Sequence, residues 1–302
     1  MTFTALEYFA AVAREKNITR AAQKLNITQQ TLSSQIKNLE NELGCTLLIR
    51  HVPLELTYAG QKLLDYSNSI NSTMESLLWD FNKIRGNNTG IIRIGIAHTR
   101  GQVILPDIIQ AFKAEYPHYS FVITSGSNQH SKKNLYDESV HVIIGELDEF
   151  SPGMQVYPLY RERIIYAACK SLIEDDIEEL RMKNYSVLQK YPFLLCNIED
   201  IAGRIGRLFL LNNNLRPADS IEANNLANLL VMCVKGMGIC LCPENLIKNT
   251  LTKEQLDTLY IGEIEEDSEF QISLGVLKKN IRWEPLARFI ELARKMSPDW
   301  AW

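Results

Sequence analysis

Asn17-Ile-Thr-Arg-Ala-Ala-Gln-Lys-Leu-Asn-Ile-Thr-Gln-Gln-Thr-Leu-Ser-Ser-Gln-Ile-Lys-Asn-Leu-Glu-Asn-Glu-Leu-Gly44 is the segment on which the fold turns. Thr19 can cap a short helix from Arg20 to Leu25, in which Ala21 and Ala22 are small enough for close helix packing. Asn26-Ile27 supplies a tight turn. Thr28 can cap a longer helix from Gln29 to Leu43, and Gly44 stands where a left-handed terminator belongs. Two helices joined so tightly are the helix-turn-helix signature. Upstream, Thr4-Ala-Leu-Glu7 has capping-box spacing, and Leu6, Phe9 and Val12 give a preceding helix one apolar face.

The longer helix is two-faced. Leu32, Ile36, Leu39 and Leu43 fall on one stripe that asks for burial. The opposite face carries Gln30, Ser34, Lys37 and Asn41, flanked by Thr31, Ser33 and Asn38. Amides and hydroxyls suit base-edge hydrogen bonds, and glutamine can pair bidentately with adenine. Free N–H groups at the helix start suit a phosphate. An ordinary solvated face would account for the polarity alone. The turn, the alanine pair and the caps on the same segment favour base reading.

Residues 58–85 follow as one helical pattern of roughly 42 Å. Leu63, Ile70, Leu77 and Ile84 recur every seven residues, with Met74 and Phe81 in companion positions and Ser67 as the weak point. Thr57 can start this helix and Gly86 can end it. A heptad stripe of this length buries against another helix. Packing on its own body is one alternative. Dimerisation is preferred, because a two-fold pair presents two reading helices to successive major grooves.

Composition sets the outer bounds. The chain has 302 residues and a formal charge of −4, with 46% hydrophobic and 23% charged residues. A polybasic binder is thereby excluded, whereas a local nucleic-acid patch is not. Residues 1–65 carry seven basic and six acidic side chains, so phosphate affinity per protomer should be modest and dimerisation would be needed. The longest apolar runs are too short to span a bilayer, and the N-terminus lacks the pattern of a signal peptide. Six scattered cysteines make no disulfide scaffold, so the expected compartment is cytoplasmic.

The texture changes near residue 90. Ile91–Ile96, Tyr119–Thr124 and Val140–Ile144 read as strands alternating with helices, which argues for a parallel α/β body closing on a helix around 284–296. The expected domains are a DNA-binding head (1–57), a linker helix (58–86) and a body (90–302). If the body is two-lobed, Arg163–Ala168 and Phe270–Val276 are the runs assigned to the crossings. Lobe one is then 90–162 plus 271–302, and lobe two 163–270.

Phe9-x-Ala-Val-Ala13, Thr19-Arg-Ala-Ala22, Leu25, Thr28-Gln29, Leu32-Ser33, Gln35-Ile36, Leu39-Glu40, Leu43-Gly44, Leu47-Leu48-x-Arg50 and Leu56-Thr57-x-Ala59-Gly60 closely resemble the LysR-type transcriptional regulators. Gly90-x-x-Arg93-Ile-Gly95, Leu105-Pro106 and Val234-x-Gly236-x-Gly238-Ile239 extend the likeness more loosely. The resemblance implies an all-α winged helix-turn-helix and a pairing linker helix. It also implies a two-lobed α/β effector domain like periplasmic binding proteins, and dyad DNA bound by homodimers or homotetramers. DNA-reading positions carried across are Gln29, Gln30, Thr31, Ser33 and Ser34, with Arg50 entering the wing; Lys37 shares their face. The chain departs from the family pattern at Gln30 and Thr31, where proline and a small residue are usual. It departs again in the short wing His51–Leu56, which lacks the usual basic residues.

In open parallel sheets, ligands bind beyond the strand carboxyl ends. That rule nominates Thr99, Arg100 and Gln102 after the first strand, Ser127 and Asn128 after the second, and Gly145 after the third. In lobe two it nominates Asn197 and Asn224. Thr99 and Arg100 at a helix start suit a carboxylate effector, whereas Arg100 as a solvated loop charge is the bland alternative and Glu146 argues for another chemistry. The histidines and cysteines lack metal-ligand spacing, and no phosphate-loop, dinucleotide or nucleophile-elbow motif appears. The cysteines read as core residues, with Cys196 as a thin redox alternative. No catalysis, cofactor or metal is expected. The expected partners are double-stranded promoter DNA, a small molecule and RNA polymerase, with no membrane. The rival functions are a solute-binding module without regulatory role, an enzyme on a two-lobed body, and a constitutive DNA binder.

Overall fold

A computed structural model describes residues 2–51, 53–84, 89–148, 151–217, 219–264 and 268–297. It divides into two compact units, Met1–Gly90 with Tyr136–Ser139, and Ile91–Leu135 with Val140–Trp302.

In the first unit, α1 (Phe3–Glu15) is capped by Thr2, whose hydroxyl accepts from the Ala5 N–H, and not by Thr4. The buried face already begins at Ala5, and the helix starts two residues earlier than the Thr4–Glu7 spacing suggests. The next helix, α2 (Ile18–Lys24), is capped by Asn17 accepting from Arg20 N–H at 3.0 Å, and not by Thr19. An asparagine amide oxygen is the better cap, and it draws the helix start back by two residues. Asn26 adopts φ 54 in the turn. As expected, α3 runs Gln29–Leu43 with Thr28 as cap and Gly44 left-handed at its end.

Leu32, Ile36 and Leu39 are buried against Phe9, Val12, Ala21, Ala22, Leu47 and Leu54. Each such side chain contributes about 1.5–3 kcal/mol by leaving water. Leu43 does not join them. It is 40% exposed, because the chain turns away at Gly44 before the last residue of the stripe reaches the core. A two-residue ladder, β1 (Leu48–Ile49) with β2 (Glu55–Leu56), forms the wing. Thr57 then caps α4 (Tyr58–Ile84), accepting from Gly60 N–H at 2.9 Å. Gly86, the expected terminator, lies outside the described residues.

The second unit opens with β3 (Thr89–Ile96), α5 (His98–Glu115), β4 (His118–Ser125), α6 (Asn128–Tyr136) and β5 (Val142–Glu146). The sixteen-residue β6 (Met154–Cys169) follows, then α7 (Ile177–Arg181), β7 (Phe193–Cys196), α8 (Ile201–Asn212), β8 (Ser220–Ala223) and α9 (Leu226–Val234). β9 (Ile239–Pro243), α10 (Glu244–Thr250), α11 (Lys253–Asp257), β10 (Leu259–Glu263), β11 (Glu269–Leu277) and α12 (Glu284–Met296) complete it.

The sheet order is β4-β3-β5-β11-β6-β9-β7-β8, with β10 also on β6. Ladders β3–β5, β7–β8 and β7–β9 are parallel, whereas β6 and β11 run antiparallel to their neighbours. Met154–Arg163 of β6 pairs with β11, and Ile164–Ala167 pairs with β9, so one strand serves both lobes. The first crossing therefore falls at Arg163/Ile164, at the start of the expected run. The second falls between β10 and β11, ahead of Phe270. An apolar run announces a strand, and the strands it pairs with decide where along the chain the lobe changes.

Buried Ile92, Ile94, Ile96, Val142–Ile144, Ile272 and Leu274 make the centre of lobe one, covered by Ile104, Ile108 and Phe112 of α5 and Phe289 of α12. Arg288 clamps Glu115 through two hydrogen bonds of 2.8 and 2.5 Å, tying α12 to α5.

Candidate functional site

The polar face of α3 is intact in three dimensions. Gln29, Gln30, Thr31, Ser34 and Lys37 are exposed and Ser33 is half-buried, while the leucine–isoleucine stripe holds the opposite side. Thr31 is partly engaged, since its hydroxyl pairs with the Thr28 hydroxyl at 2.8 Å. Arg50 is tethered by Glu40 at 2.9 Å, and the other Glu40 oxygen accepts the N–H groups of Leu47 and Leu48. Glu40 thus fixes the wing base and aims Arg50. Sequence reading missed this role, because nothing local distinguishes Glu40 from its helix neighbour Glu42 until the wing folds back onto it.

On α4 the heptad residues separate. Leu63 is half-buried and packs on the core of its own head. Ser67 is buried and donates to the Leu63 carbonyl at 2.7 Å. Ile70 and Leu77, with Phe3, Tyr66 and Met74, instead line an apolar groove of about 460 Å³. Leu77 is 47% exposed and Phe3 51%, a large apolar surface to leave in water. The Ile84 side chain lies outside those described.

Within the second unit, a cavity of about 20 Å³ lies between the lobes at the carboxyl ends of the parallel strands. It has room for about one water. Thr99, Arg100, Ser127 and Asn128 line it from lobe one, and Glu199, Asp200, Ile201 and Ala202 from lobe two, with Pro243 and Phe270. Four of the eight expected residues meet here. Gln102 instead approaches the His98 ring at 3.3 Å on α5. Asn197 closes a local turn by accepting from Glu199 N–H at 3.0 Å, and Asn224 is exposed away from the cavity. Gly145 is a spacer, because a Cβ there would lie 2.2 Å from Asn128 Oδ1. Gly203 allows α8 to approach the end of β7, where a Cβ would lie 2.0 Å from the Asn197 carbonyl oxygen. The acidic lining Glu199-Asp200 was not anticipated; Asp200, as a helix cap right after a strand end, was the signal that could have found it.

The charges are specific. Arg100, 7% exposed, gives a 2.7 Å hydrogen bond to Glu162, itself 4% exposed. Burial opposes the guanidinium charge, but the Glu162 carboxylate outweighs this and holds its pKa above the usual arginine value. The Nε of Arg100 is buried without a hydrogen-bond partner. Asp200 caps α8 through Ala202 N–H at 2.9 Å. Burial raises its pKa against the opposing influence of that N–H and of Arg100. Arg204 of α8 reaches both Glu146 oxygens at 3.0 and 2.9 Å, joining lobe two to the end of β5. Cys196 is buried, and burial pushes its thiol up to about 12, so it is not the low-pKa thiolate a redox sensor requires. Among the described residues no group of three or more His, Cys, Asp or Glu could hold a metal ion, and no helix is long and apolar enough to cross a membrane.

A winged reading head and a two-lobed body with a crevice between its lobes define a DNA-binding regulator that carries an effector domain. The profile of the bacterial regulatory helix-turn-helix protein, lysR family, matches residues 3–61, and that of the LysR substrate binding domain matches residues 85–297. The chain belongs to the LysR family: it is a LysR-type transcriptional regulator with an N-terminal DNA-binding domain and a C-terminal effector-binding domain. The probable RuBisCO transcriptional regulator of Thalassiosira pseudonana is 25% identical over 272 residues, covering 87% of this chain and 88% of that protein. Full-length CbnR complexed with target DNA has a TM-score of 0.66 at 21% identity, covering 98% of this chain and 99% of that one. Full-length LysG from Corynebacterium glutamicum with bound effector Arg has a TM-score of 0.64 at 15% identity, covering 99% of each chain. These structural likenesses establish the fold.

Proposed function

We propose that Gln29, Gln30, Ser33, Ser34 and Lys37 read base edges and phosphates in the major groove of a dyad-symmetric promoter, with Thr31 ordering the helix start and Arg50 contacting the backbone from the wing. The observation that carries this is the exposed amide–hydroxyl face of α3 held outward by buried Leu32, Ile36 and Leu39. Residues 1–57 are then the DNA-binding domain and 58–86 the linker. Residues 90–302 are the effector domain, with lobe two at 163–270. The groove at Ile70 and Leu77 supports pairing of α4 with a second copy, and two such dimers build a homotetramer. The protein acts in the cytoplasm without catalysis. A small molecule between the lobes changes their relative pose and so shifts the DNA-binding population, with RNA polymerase as the responding partner.

The test is a selection of genomic fragments by the full-length chain, with Gln30→Ala/Ser34→Ala as control. Enrichment of a dyad-symmetric site is expected, with binding to that site at least about tenfold weaker in the control, as lost base contacts predict. A folded protein that enriches no site, or a control that binds as well as the parent, refutes the assignment.

A further inference from the structure

Arg100 was the natural anchor for a carboxylate, but the fold spends its charge on Glu162 at 2.7 Å. Arg204, the other cation beside the cleft, is spent on Glu146. Two lining carboxylates remain, Glu199 and Asp200, and among the described residues neither enters an ion pair. Asp200 accepts a hydrogen bond from the Ala202 N–H of its own helix. The crevice therefore carries more carboxylates than cations: Arg100 and Arg204 attract Asp200 without pairing with it, because each is already engaged by another carboxylate. Glu199 is exposed and Asp200 half-buried, so it is chiefly at Asp200 that a cation would offset the cost of holding the charge away from water. The opposite wall of the crevice points to a second requirement. Arg100 lines the same cavity, is more than nine-tenths buried, and has an Nε–H with no acceptor. A buried donor of this kind asks for an oxygen, and the Thr99 and Ser127 hydroxyls line the same wall.

We infer that the interlobe ligand is a small zwitterion of the α-amino-acid type, its ammonium group held by Asp200 and Glu199 and its oxygen facing Arg100 Nε and the Thr99 and Ser127 hydroxyls. This rests on the reading that the crevice is the effector site. Because the closed cavity holds about one water, the ligand enters as the lobes part. The burial-raised pKa of Asp200 agrees with a carboxylate that lacks its cation.

The experiment is calorimetric titration of the full-length chain with matched compounds. One set is the standard α-amino acids, the second their N-acetyl derivatives, the third simple carboxylates, and the fourth neutral sugars. At least one free amino acid should bind, and its N-acetyl form should bind at least about tenfold more weakly, the value of a charge-assisted hydrogen bond. Asp200→Asn, which keeps a good helix cap, should weaken binding by a similar factor, and Glu199→Gln, at an exposed position, should weaken it less. Equal binding of the acetylated form, or unchanged affinity in Asp200→Asn, overturns the inference. A carboxylate or sugar that binds and alters affinity for the selected DNA overturns it while leaving the effector reading standing. No binding by any set overturns both.

Discussion

Removing one member of the Arg100–Glu162 pair should damage the body far more than removing both. At 2.7 Å and an effective dielectric of about 20 the mutual attraction is about 6 kcal/mol, and desolvation of each ion offsets several kcal/mol of it. The intact pair is therefore close to neutral in net stability. Glu162→Met changes that balance, because Arg100 is buried and its pKa is already raised, so it cannot shed its proton. The stranded guanidinium should cost about 3–5 kcal/mol, a large share of a typical domain's stability. Arg100→Met strands Glu162 in the same way. The double variant should lie within about 2 kcal/mol of the parent, so the coupling energy should be at least about 4 kcal/mol, above the usual range of about 0.5–3 kcal/mol. Urea unfolding of the full-length chain, followed by hydrogen exchange in peptides from α5 and β6, isolates this unit from the head. Additive single effects, or a Glu162→Met loss below about 1 kcal/mol, would refute the reasoning that the pair is a buried, mutually dependent unit.

Two further outcomes follow from the crevice. Gly145→Ala puts a methyl group 2.2 Å from Asn128 Oδ1, so it should cost about 1–3 kcal/mol by overpacking and be largely rescued in Gly145→Ala/Asn128→Ala, read by the same unfolding assay. Asp200 has a raised folded pKa, so its contribution is present in full below the unfolded carboxylate value of 3.8 and is lost as pH rises through the folded pKa. Asp200→Asn should consequently gain on the parent as pH rises through that window. A constant difference across the window would show that Arg100, Arg204 and the Ala202 N–H balance the charge completely.

The head was largely legible because its determinants are local. Thr28, Asn26 and Gly44 act within a few residues of themselves, and the 3.6-residue period of Leu32, Ile36 and Leu39 needs no knowledge of the rest of the chain. Where the reading slipped by two residues, at Thr4 and Thr19, a neighbouring cap competed and the helix followed its buried face. Leu63 shows a different limit. Heptad spacing specifies a stripe but not what covers it: Leu63 packs partly on the head core, whereas Ile70 and Leu77 line an apolar groove.

The crevice was legible in position but not in charge. The strand-end rule brought Thr99, Arg100, Ser127 and Asn128 to one cavity, since it depends on chain direction in a parallel sheet and not on side-chain identity. The sign of that cavity depends on pairs 62 and 58 residues apart, Arg100 with Glu162 and Arg204 with Glu146. No local pattern encodes such pairs. A cation at a strand end reads as an anion receptor until its partner is found, and finding Glu162 turns the same residue into part of the wall. On the inference drawn above, what then decides ligand class is the carboxylate left without an ion-pair partner. Here that residue is Asp200, placed at the crevice because α8 needs a cap where β7 ends, so a local requirement of helix formation also sets the charge presented to the ligand.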